Sequence, residues 1–204
     1  MVATLAPVLG VLAGILAVAD TIPYVRDTLR GTTRPHRGTW LIWGVLAIVV
    51  CFSQRADGAT WSLIMAGAQA LVTSLVFLLA IHRGVGGLSA IEAVMIAIAM
   101  GGVIGWFVAG EPIVATVCVV AADLIGAAMM FPKTYRDPYS ETLTMFAFAS
   151  LGGALAAAAV GAADLALLLY PVYYCLVNGT ISVFIVHRRG VLGKAPAMLE
   201  AAPR

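Results

Sequence analysis

Seven apolar runs occupy almost the whole chain and are separated by short connections that carry most of the charged residues. The runs cover residues 4–29, 36–53, 59–81, 88–109, 112–131, 141–161 and 163–186. Most are close to the roughly 20 residues that an α-helix needs to cross the hydrocarbon core of a bilayer. The pattern therefore predicts an all-α membrane protein with seven transmembrane helices, which we number as spans 1 to 7.

Composition supports this prediction. Hydrophobic residues make up 62% of the 204 residues and charged residues 11%, which is far from the average of a soluble domain. Because the seven spans use nearly the whole length, we expect no separate soluble domain. The run 4–29 lacks a basic first segment and a clear cleavage site, so we expect a retained helix rather than a signal peptide.

The basic residues lie almost entirely on one side of the predicted spans. Of the 12 Lys and Arg residues, only Arg55 lies on the opposite side. Positively charged connections stay in the cytoplasm, so we predict a multi-pass protein of the cell membrane with its N-terminus outside and its C-terminus in the cytoplasm. These basic residues are juxtamembrane and form no nucleic-acid recognition motif, so no nucleic-acid partner is expected.

The chain also resembles itself. A displacement of 103 residues lays spans 1–3 on spans 5–7 and leaves span 4 unmatched. It aligns Asp20 with Asp123, Pro35 with Pro138 and Thr39 with Thr142, and a displacement of 105 aligns Ile81-His82-Arg83 with Val186-His187-Arg188. Three crossings invert a chain, so one extra helix is needed to bring a second copy back to the same orientation.

We therefore predict a 3+1+3 arrangement. Residues 1–87 form the first three-helix repeat, 88–110 a linker helix, 111–190 the second repeat and 191–204 a cytoplasmic tail. Two parallel repeats of this kind are related by an axis along the membrane normal. Such repeats recur in secondary transporters, which bind their substrate between the repeats near the middle of the bilayer.

The two repeats carry similar proline-containing segments at the predicted cytoplasmic ends of their first helices. These read Ile22-Pro23-Tyr24-Val25-Arg26 and Met130-Phe131-Pro132-Lys133-Thr134-Tyr135-Arg136. With the 3+1+3 plan, they resemble the SWEET sugar transporters and the wider PQ-loop superfamily, although Gln follows neither proline. The resemblance implies transport of a small solute, with Pro23, Pro35, Pro132 and Pro138 permitting helix bending during gating.

Three polar residues are candidates for solute binding. Asn178 lies eight or nine residues from the cytoplasmic end of span 7, roughly 13 Å deep, where an unpaired amide costs several kcal/mol. Thr73 is its counterpart under the displacement of 105 residues, and Gln69 lies one helical turn from Thr73. The resemblance to SWEET proteins implies that Asn178 binds sugar. An interhelical hydrogen bond, worth about 0.6–2 kcal/mol, is the structural alternative.

Asp20 and Asp123 are predicted to lie inside spans 1 and 5. A carboxylate at that depth is costly and usually faces a hydrated cavity or a partner. We expect the pair to sense protons or to pair with a cationic group of the solute. The alternative is a structural role, in which Ser, Thr or Tyr side chains of neighbouring helices hydrogen-bond to the two carboxylates.

Two tryptophans lie one turn apart at the start of span 2. Trp favours the headgroup level of a membrane, so Trp40 is predicted to belong to the interfacial belt. For Trp43 the belt and an apolar wall of the solute site remain equally open, and we assign it to the wall. In span 7, Tyr170, Tyr173 and Tyr174 surround Pro171, which can kink the helix.

These features predict a transporter that moves a small polar solute by alternating access. The solute is either a neutral sugar or an amino acid or amine with proton coupling. The alternative is a non-transporting membrane scaffold or assembly subunit with the same fold. No nucleophile with a base, phosphate loop or metal-ligand spacing is present, so we expect no enzymatic activity and no cofactor. The expected partners are the solute and the lipid bilayer, with a homo-oligomer left open.

Overall fold

The computed structural model describes residues 2–56, 61–86, 90–109 and 112–193, and the described segments are helical. The helices are α1 (Val2–Ala19), α2 (Thr21–Arg30), α3 (Arg37–Ala56), α4 (Ser62–Arg83), α5 (Ala90–Ala109), α6 (Pro112–Arg136), α7 (Leu143–Val160) and α8 (Leu165–Leu192). A 3₁₀ turn, Pro138–Ser140, precedes α7. Because α1 and α2 abut, they form one span, and the seven predicted helices are all present. Among these residues there is no strand, only one isolated bridge between His36 and Val85, so the all-α prediction is confirmed.

Five of the described helices are long and apolar enough to cross a membrane. They are Leu5–Arg30, Leu63–Arg83, Val117–Arg136, Leu143–Val160 and Leu167–Leu192, and Arg37–Phe52 is a shorter apolar stretch. Their outer faces carry exposed apolar side chains such as Leu71, Leu176 and Val183. Such a surface suits lipid, so the helices are consistent with the predicted multi-pass membrane protein. Residues 194–204 of the predicted tail and both ends of the predicted linker helix lie outside the described residues.

The first span is interrupted at Asp20, between α1 and α2. Pro23 has no N–H group, so it cannot donate to the carbonyl four residues before it, and the ladder of helical hydrogen bonds loses one rung there. Asp20 itself keeps helical backbone angles, and the span continues to Arg30. Gly31 then ends it with a positive φ of 78° and donates its N–H to the Thr28 carbonyl, a conformation that glycine adopts without a steric cost.

For description we divide the helices in chain order into a first group, α1 with α2, α3 and α4, and a second group, α6, α7 and α8. In the first group α4 lies between α1 and α3, and in the second α8 contacts both α6 and α7. The groups meet mainly where α1 packs against α7 and α3 against α6, with smaller contacts of α4 and α2 against α7. Helix α5 packs on α6 and α3. Under the displacement that aligns the predicted repeats, α1 corresponds to α6 and α3 to α7. The two main contacts between the groups would therefore exchange under a twofold rotation.

Several helix ends meet at one end of the bundle, which we call the basic end. Arg83 donates to the Leu29 carbonyl at 3.2 Å, and Arg37 donates to the Gly86 carbonyl at 2.7 Å. In the second group, Arg188 donates to the Tyr135 carbonyl at 2.9 Å. The ends of α2, α4, α6 and α8 and the starts of α3 and α7 therefore lie together, as a bundle of alternating spans requires.

Close packing of α7 on α8 depends on Gly153. A Cβ atom added there would lie 2.7 Å from the Cys175 nitrogen and 3.0 Å from the Pro171 carbonyl oxygen, both main-chain atoms that cannot turn away. We expect Gly153→Ala to lower the free energy of unfolding by about 1–3 kcal/mol, because overpacking forces the backbones apart. Thermal melting in detergent measures this.

The neighbouring glycine provides the matched control. A Cβ atom at Gly152 would meet its nearest neighbours at 3.7 Å, an ordinary contact distance, so Gly152→Ala should leave the melting temperature nearly unchanged. Equal melting of the two variants would show that α7 and α8 are not held at this separation.

Candidate functional site

A cavity lies near the middle of the bundle, between the two groups of three helices. Its volume is about 30 Å³, enough for no more than a few water molecules. Helices α3, α4, α6, α7 and α8 supply the described residues that line it: Trp40, Trp43, Ala47, Gln69, Thr73, Asp123, Met145, Phe146, Ala149, Tyr170, Tyr174, Val177 and Asn178. Both groups contribute, and we call this space the central cavity.

The structure brings together all four residues that the sequence nominated for solute binding. Gln69 and Thr73 reach the central cavity from α4, Asn178 from α8, and Trp43 from α3. Asp123, which was predicted to sense charge, lines it from α6. Polar side chains from both groups of helices therefore converge on one cavity.

Two of these side chains are tied to their own helices. The amide nitrogen of Asn178 donates to the Tyr174 carbonyl at 2.8 Å, and the Thr73 hydroxyl donates to the Gln69 carbonyl at 2.7 Å. The side-chain oxygen of Gln69 is buried and has no hydrogen-bond partner among the described residues. An unpaired buried acceptor costs about 1–3 kcal/mol.

Asp123 combines a structural partner with access to the cavity. The Tyr173 hydroxyl on α8 donates to its Oδ2 at 2.6 Å, and the Trp43 indole nitrogen donates to its main-chain carbonyl at 3.4 Å. The sequence left open a structural role, in which a side chain of a neighbouring helix hydrogen-bonds to the carboxylate. The bond from Tyr173 is of that kind. Asp123 also lines the central cavity.

Asp20 is not among the described residues that line the central cavity, although it interacts electrostatically with Tyr174, which is one of them. It is buried at the junction of α1 and α2. The Thr21 hydroxyl donates to its Oδ1 at 2.9 Å, and its Oδ2 has no partner within the described part of the chain. The two aspartates therefore do not flank the cavity symmetrically, although the displacement of 103 residues aligns them.

Trp40 is not an interfacial residue, so the belt prediction is wrong for it. Its side chain is only 1% exposed. The ring packs against Tyr24 at 5.0 Å and against Trp43 at 5.3 Å between centroids, and its indole nitrogen donates to the Tyr24 hydroxyl at 3.0 Å. The headgroup preference of tryptophan is overridden by this buried hydrogen bond. Trp61, at the opposite end of the bundle, is 45% exposed, as an interfacial residue would be.

The residues that line the cavity repeat along the chain. The displacement of 105 residues relates Gln69 to Tyr174 and Thr73 to Asn178, and the displacement of 103 that aligns α3 with α7 relates Trp43 to Phe146. All six residues line the central cavity. Equivalent faces of α4 and α8, and of α3 and α7, thus point inward. This agreement is independent of the charge pattern from which the seven spans were inferred.

A buried polar cluster between the cavity and the basic end was not foreseen from the sequence. We call Tyr24, Trp40, Lys133 and Glu141 the Glu141 cluster. Lys133 donates to Glu141 Oε1 at 2.5 Å, and the Tyr24 hydroxyl donates to Glu141 Oε2 at 3.4 Å. Lys133 also donates to the Arg34 carbonyl. Because Trp40 lines the central cavity, the cluster connects the cavity wall to the loops of both groups.

Glu141 is fully buried, with a side-chain exposure of 0%. It precedes the membrane-spanning stretch Leu143–Val160. Burial raises its pKa above the ordinary 4.5, although the adjacent Lys133 ammonium lowers it in part. The carboxyl group therefore takes up a proton at a higher pH than an exposed glutamate does.

The four prolines of the predicted gate lie toward the basic end. Pro23 and Pro132 are inside α2 and α6, whereas Pro35 and Pro138 are buried just before α3 and at the start of the 3₁₀ turn. The loops that carry Pro35 and Pro138 contact one another, since the Arg34 N–H donates to the Ser140 carbonyl at 3.2 Å.

No protein-family model, curated protein or solved structure matches this chain.

Proposed function

We propose that this protein moves a small polar solute across the membrane by alternating access, with the solute bound in the central cavity. The observation that carries the proposal is the convergence of Gln69, Thr73, Asp123 and Asn178 on that cavity. Polar groups inside a membrane bundle are costly, and they usually mark a substrate or ion pathway. Helices from both groups supply these residues, so relative movement of the groups would change access to the site.

The packing supports a 3+1+3 plan with parallel repeats. The contacts of α1 with α7 and of α3 with α6 exchange under the proposed twofold, and the cavity-lining residues repeat at the same two displacements that align the repeats. In this arrangement the basic end faces the cytoplasm, because basic connections stay inside. The N-terminus then lies outside, and the resemblance to SWEET and PQ-loop carriers remains part of the proposal.

The described conformation corresponds to an occluded state of such a cycle. A cavity of about 30 Å³ is too small for a solute, since ligand pockets usually measure about 300–1,000 Å³. Opening toward the basic end requires the bonds of Glu141 with Tyr24 and of Lys133 with the Arg34 carbonyl to break. The nearby prolines Pro23, Pro35, Pro132 and Pro138 would allow the helix ends to bend during that step.

Replacing Asn178 with alanine tests the site. Losing one hydrogen bond of about 1–1.5 kcal/mol to the solute should reduce uptake into proteoliposomes about fivefold to tenfold. Melting should change little, since the amide bonds only to its own helix. Thr180→Ala is the control, because Thr180 is exposed on the same helix and also bonds to its own backbone. Uptake that is equal in both variants would remove Asn178 from the site.

One observation favours the alternative of a scaffold or assembly subunit. An open, mainly apolar groove runs along the outer face of α8, lined by Cys175, Leu176, Gly179, Val183 and Phe184. A helix of another protein, or an acyl chain, would fit such a groove. A folded protein that neither binds nor transports any solute in these assays would favour this second function over transport.

A further inference from the structure

The described side chains that line the central cavity can supply negative charge but no positive charge. Asp123 is its single acidic residue, and none of the described residues that line it is Lys, Arg or His. The basic side chains lie instead at the helix ends, as Arg37, Arg83 and Arg188 do. A solute with a free carboxylate would find no positive partner in the cavity, whereas a cation would find a negative one.

Aromatic rings form much of the cavity wall. Trp40 and Trp43 from α3 lie edge to face with their centroids 5.3 Å apart, and Tyr170 and Tyr174 from α8 lie 5.9 Å apart. The faces of Trp and Tyr rings attract cations, ammonium groups above all, when the charge lies within about 6 Å of the ring centre. The wall thus supplies negative potential in addition to the carboxylate.

Four hydrogen-bond donors of the cavity are in use within the protein. Thr73 donates to the Gln69 carbonyl and Asn178 to the Tyr174 carbonyl. The indole nitrogens of Trp40 and Trp43 donate to the Tyr24 hydroxyl and the Asp123 carbonyl. The buried side-chain oxygen of Gln69, in contrast, accepts from no described residue. The cavity therefore offers both donors and acceptors, because the Gln69 amide nitrogen and the Tyr170 and Tyr174 hydroxyls donate to no described residue. Its selectivity then rests on its charge and its aromatic rings.

We propose that the central cavity selects a small organic cation, that is, a protonated amine or a quaternary ammonium compound. This inference rests on the proposed transport function and names its substrate class. Asp123 would balance the positive charge, the four rings would surround it, and the Gln69 oxygen would accept from an N–H or hydroxyl group. A carboxylate-bearing amino acid is disfavoured because its carboxylate would meet the Asp123 charge, and a neutral sugar would leave that charge unbalanced.

The test compares choline with 3,3-dimethylbutan-1-ol, which has the same shape but carbon in place of the charged nitrogen. The purified protein is assayed by thermal shift with each compound, with ethanolamine and with glucose, since a ligand of the native state raises the melting temperature. We expect the cations to bind at least about tenfold more tightly than the neutral isostere. In proteoliposomes, an inside-negative potential should increase uptake of radiolabelled choline.

Asp123→Asn keeps the size of the side chain and removes its charge. We expect this variant to lose most of the preference for choline over the isostere. Asp164→Asn is the matched control, because Asp164 is exposed at the start of α8 and lies outside the cavity lining; its preference should stay intact. Retention of the preference in Asp123→Asn would overturn the assignment of that carboxylate.

The outcomes separate this inference from the proposed function. Uptake of glucose with no preference between choline and its isostere would overturn the inference and leave transport standing. Choline binding without uptake would support the inference and count against transport. If none of the four compounds shifts the melting temperature, the cation inference is overturned.

Discussion

Replacing Glu141 with alanine is expected to lower the free energy of unfolding by about 3 kcal/mol. Removing one member of a buried ion pair typically costs about 3–5 kcal/mol, because the other charge loses its partner. The lower end applies here, since the Lys133 side chain remains 15% exposed and keeps the Arg34 and Ser140 carbonyls as acceptors. Thermal or denaturant unfolding in detergent micelles measures the change.

A double-mutant cycle separates the pair from its surroundings. Glu141→Leu alone strands Lys133, whereas Glu141→Leu combined with Lys133→Met removes both charges and fills the space with apolar groups. Replacing a whole buried pair in this way is often neutral or stabilising, so the double variant should regain most of the loss. Purely additive effects would contradict a coupled pair.

The pH dependence of stability provides a second readout for the same residue. Because burial raises the pKa of Glu141 above 4.5, the folded protein binds a proton more readily than the unfolded chain between the two pKa values. The contribution of this group to stability is therefore full below about 4.5 and decreases as the pH rises through the raised pKa. Glu141→Gln should remove that slope, and an unchanged slope would assign it to another group.

The helical fold could be predicted from the sequence because membrane spans obey a simple length rule. Apolar runs such as 59–81 and 163–186 correspond to Ser62–Arg83 and Leu165–Leu192, and the basic residues mark one end of the bundle. The break at Asp20 was harder to foresee. It follows from one missing N–H group at Pro23, which changes no hydrophobic pattern.

The sequence could predict those cavity residues that are polar and lie deep in an apolar run, because burying an unpaired polar group there costs free energy. Asn178, Thr73 and Gln69 are polar residues in the middle of apolar runs, and they do line one cavity. The prediction that Trp40 lies at the membrane interface was wrong because it used only the general preference of tryptophan for the headgroup level. Trp40 is buried through its contact with Tyr24 on another helix, which the sequence does not show. The two aspartates were paired by sequence spacing, but only Asp123 reaches the cavity.

Glu141 escaped prediction for a related reason. It lies in a connection where a charged residue is ordinarily solvated, and its burial arises only because two loops and the end of α6 pack together. The signal that could have found it is Lys133, eight positions earlier, in the last turn of α6. Opposite charges that face one another across a tight turn are candidates for a buried pair.

Gln69→Leu is expected to change stability and transport in opposite directions. The variant removes a buried oxygen that has no hydrogen-bond partner among the described residues and places a similar volume of apolar atoms there. The free energy of unfolding should rise by about 1–3 kcal/mol. If the oxygen accepts from a charged solute, its loss should reduce uptake between about tenfold and a hundredfold.

Gln54→Leu is the matched control for this prediction. The side-chain oxygen of Gln54 is also buried without a partner in the described part of the chain, but Gln54 does not line the central cavity. Both variants should therefore melt at a higher temperature, and only Gln69→Leu should lose uptake. Loss of stability in Gln69→Leu would mean that its oxygen is paired within the protein.

The comparison of the two glutamines distinguishes a site from a packing defect. A protein tolerates an unsatisfied buried group where function requires it, and removing that group stabilises the fold at the expense of activity. Gln69 shares its cavity with Asp123 and Asn178 from the other group of helices, so its cost has a functional explanation. Normal uptake by Gln69→Leu would show that the central cavity is not the solute site, whatever the polarity of its walls.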